Sequence, residues 1–166
     1  LLPLGMETAF FKFISDQKED KQKIFQNSLL TVLGFNSIFL LLALVMSGTI
    51  ANWLLLPDHP EYVILLVLIV SVDAIAALPL AKLRSENQSK KFASIQFTSI
   101  MVNIAFNVIL LLFFFDKENP HMGIMYILIA NLLASLVKPL MVYKDFLNIN
   151  WTFNFALAKQ MLIYSI

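Results

Sequence analysis

From Ile24 to Pro57 the chain carries no charged side chain. That run exceeds the ~20 apolar residues a helix needs to cross about 30 Å of hydrocarbon. In hydrocarbon only helices and closed barrels satisfy their own backbone groups. The run therefore predicts a spanning helix over 28–55, and the pattern repeats downstream. Residues 62–83 form a second span, interrupted by Asp73 near the middle and Pro79 close to the end. Residues 92–115 form a third without charge, and 123–143 a fourth with Lys138-Pro139 in its final third. The turns Pro57-Asp58-His59-Pro60 and Asp116-Lys117-Glu118-Asn119-Pro120-His121 separate them, with Pro placed to end one helix and open the next. The predicted fold class is all-α, a polytopic transmembrane helix bundle.

Two partial segments flank the four spans. Residues 1–15 read as the end of an earlier span, interrupted by Glu7 and Lys12, and 151–166 as a connection running into a later one. The chain opens Leu1-Leu2-Pro3-Leu4-Gly5 without an initiator Met and stops inside an apolar stretch. The expectation is an internal fragment whose transmembrane part occupies 1–150.

Composition agrees with the spans. Hydrophobic residues make up 59% and charged residues 14%, and mean hydropathy is +0.78, whereas a soluble domain has roughly a quarter of its residues charged. A net charge of +1 gives no reason to expect a nucleic-acid partner. There is no cysteine, and His59 and His121 lie in separate loops, so neither a disulfide nor a metal site is expected. No Gly-rich phosphate loop, zinc-binding His-Glu-x-x-His or Gly-x-Ser-x-Gly motif is present, and the loops are too short for a catalytic domain. Neither an enzyme nor a cofactor is expected.

Basic residues sort to one side of the predicted membrane. Lys12, Lys18, Lys21 and Lys23 precede the first full span. Lys82, Arg84, Lys90 and Lys91 lie between the second and third, and Lys138, Lys144 and Lys159 follow the fourth. These are eleven of the twelve Lys and Arg; the opposite turns hold only Lys117 among Asp58, Glu61, Asp116 and Glu118. Because basic residues near helix ends are retained in the cytoplasm, loops 16–27, 84–91 and 144–154 are expected there.

Polar groups inside the spans are the candidate functional residues. An ionised side chain at the bilayer centre costs about 2.5–3.5 kcal/mol on insertion scales. Asp73 is thus either a cavity residue for a cation, a proton or a basic partner, or a structural link between helices. Gln96, Ser99, Asn103 and Asn107 recur at spacings of three, four and four, and Asn131, Ser135 and Lys138 at four and three. Each set draws one stripe along its helix. Such stripes line a wet cavity or hydrogen-bond helix to helix. Glu7 and Lys12 are ~140° apart around a helix and do not pair with each other. Lys12 reads as snorkelling to the interface, and Glu7 lies about 7 Å deeper.

Three runs carry a resemblance: Leu4-Gly5-Met6-Glu7-Thr8-Ala9-Phe10-Phe11-Lys12-Phe13, Asp73-Ala74-Ile75-Ala76-Ala77-Leu78-Pro79-Leu80-Ala81-Lys82-Leu83-Arg84-Ser85-Glu86-Asn87, and Ile129-Ala130-Asn131-Leu132-Leu133-Ala134-Ser135-Leu136. The chain resembles bacterial polysaccharide flippases. These are lipid-linked oligosaccharide exporters of the multidrug/oligosaccharidyl-lipid/polysaccharide superfamily, O-antigen-type branch. The resemblance implies a MATE-like fold of two lobes, with this chain running from late in helix 2 to the start of helix 7 of the N-terminal lobe. Helix 1 and nearly all of the second lobe would be its missing partners. It implies residence in the bacterial inner membrane and alternating-access transfer of an undecaprenyl-pyrophosphate-linked glycan. Lys12 would stand where similar proteins carry an Arg toward the diphosphate, with Glu7 and Asp73 balancing charge or coupling transport to an ion.

Glu7, Lys12, Asp73, Asn103, Asn107, Asn131 and Lys138 are therefore the expected substrate or coupling-ion pathway. The alternatives are a cation-coupled multidrug exporter of the same superfamily and a non-transporting membrane scaffold, for which the polar stripes are only helix contacts.

Overall fold

The computed structural model of the chain describes residues 4–16, 20–115, 121–147 and 153–165. The expectations placed on Lys18, on the 116–120 turn with Lys117, and on 148–152 lie outside the described residues. Among the described residues there are eight helices and no strand: α1 (Leu4–Ser15), α2 (Lys21–Val45), α3 (Ser47–Trp53), α4 (Pro60–Ser85), α5 (Ser89–Phe113), α6 (His121–Met141), α7 (Tyr143–Leu147) and α8 (Phe155–Ser165). Helices α2, α4 and α5, and Met122–Met141 of α6, are long and apolar enough to cross a membrane. The all-α bundle is what the sequence predicts.

Local chemistry sets the helix ends. Asp20 caps α2 by accepting a hydrogen bond from the Gln22 backbone N–H at 3.1 Å. Pro60 opens α4 in its first turn, where a missing N–H costs nothing. Asn87 closes α4 in the left-handed region at φ 58, and the Gln88 N–H returns to the Leu83 carbonyl at 2.9 Å. Asn tolerates that conformation because its short polar side chain bonds locally. Leu55 takes the same role after α3, at φ 60, with the Leu56 N–H on the Ala51 carbonyl at 2.9 Å.

Two span boundaries differ from expectation. The first span starts at Lys21 rather than 28, because the Asp20 cap lets helix form through polar residues that hydropathy discounts. It also breaks at Met46, so 28–55 is divided between α2 and α3. The fourth span ends at Met141, two residues beyond Pro139, and 143–147 turn into the separate α7.

Helix α4 is the axis of the bundle. Buried side chains gather in three clusters, and α4 contributes to each: Leu78 and Ala81 pack with Phe10, Phe25 and Met161; Ala76, Leu80 and Leu83 with Ile95 and Val142; Val63 and Val67 with Ala43 and Ala51. Over its most apolar stretch 44% of α4 is buried, against 11% for α5, which fixes α4 as central and α5 as peripheral. In lipid such contacts hold by close packing, since hydrocarbon tails are as apolar as the side chains they replace. Ala74, Ala76, Ala130 and Ala134, all buried, keep the α4 and α6 surfaces slim enough for close approach. At the Lys-rich face, ion pairs close the ends: Lys82 Nζ to Asp145 Oδ1 at 2.7 Å, and Arg84 to Glu7.

Candidate functional site

A polar cleft of about 250 Å³ lies among α4, α5 and α6. Helix α5 supplies Gln96, Ser99 and Asn103, and α6 supplies Asn131, Ser135 and Lys138. On each helix the residues repeat at three and four, so one face of each turns inward. Asp73 comes from midway along α4.

The ionised groups in the cleft pair with each other. Lys138 Nζ donates to Asp73 Oδ1 at 2.9 Å. The lysine side chain is 20% exposed and the carboxylate 42%, so the acidic end faces the opening. A half-open carboxylate at that depth cannot rest against lipid tails and requires water or further protein. Lys138 also sits in the last turn of α6, where the helix dipole favours a cation. Pro139 lacks an N–H, which leaves the Ser135 carbonyl without its usual helical donor one turn back. The cleft thus offers a carboxylate from α4 and an ammonium from α6.

Around this pair the stripes meet. Asn103 Nδ2 donates to Asn131 Oδ1 at 2.8 Å, and Ser99 Oγ to the Ala134 carbonyl at 2.7 Å. Asn131 Nδ2 returns to the Ile127 carbonyl at 2.9 Å. Gln96 and Ser135 line the cleft with no side-chain hydrogen bond among the described residues. Chemically the arrangement can hold a cation or proton at Asp73, or an anion at Lys138 once the pair separates.

Asp73, Asn103, Asn131 and Lys138 are therefore brought together. Asn107 stands one turn further along α5 and reaches the group only through Asn103, donating to its carbonyl at 2.9 Å and its Oδ1 at 3.1 Å. Glu7 and Lys12 are elsewhere: Glu7 pairs with Arg84, and Lys12 Nζ lies over the Tyr164 ring, 4.9 Å from its centroid. The two do not pair with each other, as their spacing predicts, but neither lines the cleft. The basic group beside Asp73 is Lys138, a residue that belongs both to the polar stripe of α6 and to the basic residues of the Lys-rich face.

Sequence reasoning missed a second polar contact, between α2 and α4. Asn36 Nδ2 donates to the Ser71 carbonyl at 3.2 Å, while Asn36 Oδ1 and Ser71 Oγ are buried without a hydrogen-bond partner among the described residues. The signal was an Asn inside a charge-free span, obscured by the apolar residues around it. No family model, curated protein or solved structure matches the chain.

Proposed function

We propose that the chain is part of a membrane transporter that moves a lipid-linked oligosaccharide across the bilayer, and that the α4–α6 cleft is a wall of its pathway. The observation that carries this reading is the Asp73–Lys138 pair, which joins the middle of α4 to the last turn of α6 in a polar cleft that stays open. Two intramembrane charges are expensive, and apolar replacements for such pairs are often neutral or stabilising. A bundle that only anchored partners would gain little from the pair. A transport site gains a group that can exchange partners: Lys138 leaves Asp73 when a pyrophosphate arrives or when Asp73 takes a proton.

Within the same superfamily, we read the cargo as anionic, held by Lys138 once it leaves Asp73, because a drug cation would find no aromatic wall in the cleft. Its lining includes Lys138 and no aromatic side chain among the described residues. The diphosphate role that the resemblance attaches to Lys12 passes in this reading to Lys138. The scaffold reading draws on the Asn103–Asn131 and Ser99–Ala134 hydrogen bonds, which knit α5 to α6 whether or not anything is transported.

The test is glycan export in cells whose protein carries Lys138→Gln. Export at least tenfold lower, at normal membrane abundance, is expected. Normal export from a stable Lys138→Gln protein would contradict the proposal and leave the scaffold reading.

A further inference from the structure

Away from the polar cleft, a second cavity of about 330 Å³ opens between α2 and α8. Its α2 wall is the face carrying Leu30, Gly34, Phe35 and Ile38, and across it stand Ala158, Leu162 and Lys159. The Asn154 backbone N–H donates to Asn27 Oδ1 at 2.7 Å, and Ser28 Oγ donates to Met161 Sδ at 3.6 Å. Residues 154 and 161 are seven apart, yet they meet neighbouring residues of α2. The α8 segment therefore crosses α2 near its Lys-rich end instead of running beside it. The groove is the apolar angle left on the bilayer side of that crossing.

Three features define what fits. Gly34 has no side chain, and a Cβ built there meets nothing within 4 Å, so the floor is open along α2. Phe35 and Ile38 remain 50% and 57% exposed, a surface suited to hydrocarbon. Lys159 is the only charged residue among those lining the groove, and it makes no ion pair among the described residues. The one other polar group on the wall, the Thr31 hydroxyl, is already bonded to the Asn27 carbonyl at 2.7 Å. Lys159 stands on the second turn of α8, close to the crossing with the first turns of α2, the level at which a lysine reaches lipid headgroups.

We propose that this groove binds one acyl chain of a resident anionic phospholipid, with the lipid phosphate on Lys159. The tail follows Gly34 and Phe35 toward the bilayer centre. The site lies on the α2–α8 side of α4, away from the α5–α6 side that forms the cleft, so the inference stands independently of the transport reading. The single cation gives the charge complementarity, and the glycine floor gives the shape.

Native mass spectrometry of the detergent-solubilised chain, offered phosphatidylglycerol or phosphatidylcholine with identical acyl chains, tests the site. The wild type should retain one phosphatidylglycerol at least tenfold more strongly than phosphatidylcholine. Lys159→Gln should abolish that preference, and Gly34→Leu should fill the groove and lose both lipids. The Cβ added there meets no protein atom within 4 Å, and leucine is the better helix former. A second measurement does not depend on that variant folding: a Phe35→Trp protein should be quenched more by acyl-brominated phosphatidylglycerol than by brominated phosphatidylcholine. Equal retention and equal quenching by the two lipids would overturn the proposal. So would a Gly34→Leu protein that turns from dimer to monomer with lipid retention unchanged, which would assign the groove to a second copy of the chain.

Discussion

Asp73, midway along α4, and Lys138, in the last turn of α6, form an ion pair of 2.9 Å, and among the described residues of the spanning helices Asp73 is the one charge set away from the ends. The pair joins the central helix to the helix that carries half of the polar cleft. Its two members are separated by sixty-five residues in sequence.

Breaking the pair from one side should cost more than removing it whole. Lys138→Met strands a carboxylate, and losing a hydrogen bond to a charged group costs about 1.5–3 kcal/mol. The 42% exposure of Asp73 places the expected loss at the lower end of that range. Adding Asp73→Asn should recover part of it. Unfolding in detergent measures this, and fully additive losses would argue that the two side chains do not interact.

The contact between the polar stripes should be real but small. A double-mutant cycle on Asn103→Leu and Asn131→Leu should give a coupling of about 0.6 kcal/mol, the usual size for intramembrane hydrogen bonds. A coupling of zero would separate the two residues and weaken the geometry of the cleft.

How much of this was legible in the sequence depends on the kind of signal. The spans rest on long runs without charge, which the hydrocarbon thickness makes nearly obligatory, so helices at 62–83 and 92–115 needed little inference. The inward faces of α5 and α6 followed from three-and-four spacing. The partner of Asp73 did not follow, because Lys138 near a helix end satisfies the positive-inside pattern equally well, and only packing decides which role it takes. The placement of Glu7 beside Arg84 was hidden for the same reason, since it depends on how α1 leans on α4. The break at Met46 has only a weak local marker, the Ser47-Gly48 pair that follows it, and no proline stands there.

Leu55 offers a test of the backbone. An apolar residue with a Cβ at φ 60 pays the left-handed cost of roughly 1–2 kcal/mol that glycine avoids. Its side chain is 87% exposed and contributes little packing. Leu55→Gly should therefore raise the unfolding temperature in detergent, corresponding to as much as about 1 kcal/mol after glycine's own entropy cost. A lower unfolding temperature would place Leu55 in a packing role that its exposure does not suggest.

The orientation read from charge can be checked cleanly because the chain has no cysteine of its own. A membrane-impermeant thiol reagent added to intact cells should label Asp58→Cys and spare Ser89→Cys. The reverse pattern would invert the topology, and with it the side from which the proposed pathway would be loaded.

Whether the cleft touches a lipid-linked glycan, as proposed, is read by substrate protection of a cysteine placed in it. Ser135→Cys, beside Lys138, should react with a small water-soluble thiosulfonate in native membranes, and accumulation of the lipid-linked glycan should slow that reaction at least severalfold. An unreactive cysteine, or one whose labelling is indifferent to the glycan, would contradict the account and leave the Asp73–Lys138 pair as a structural link between helices.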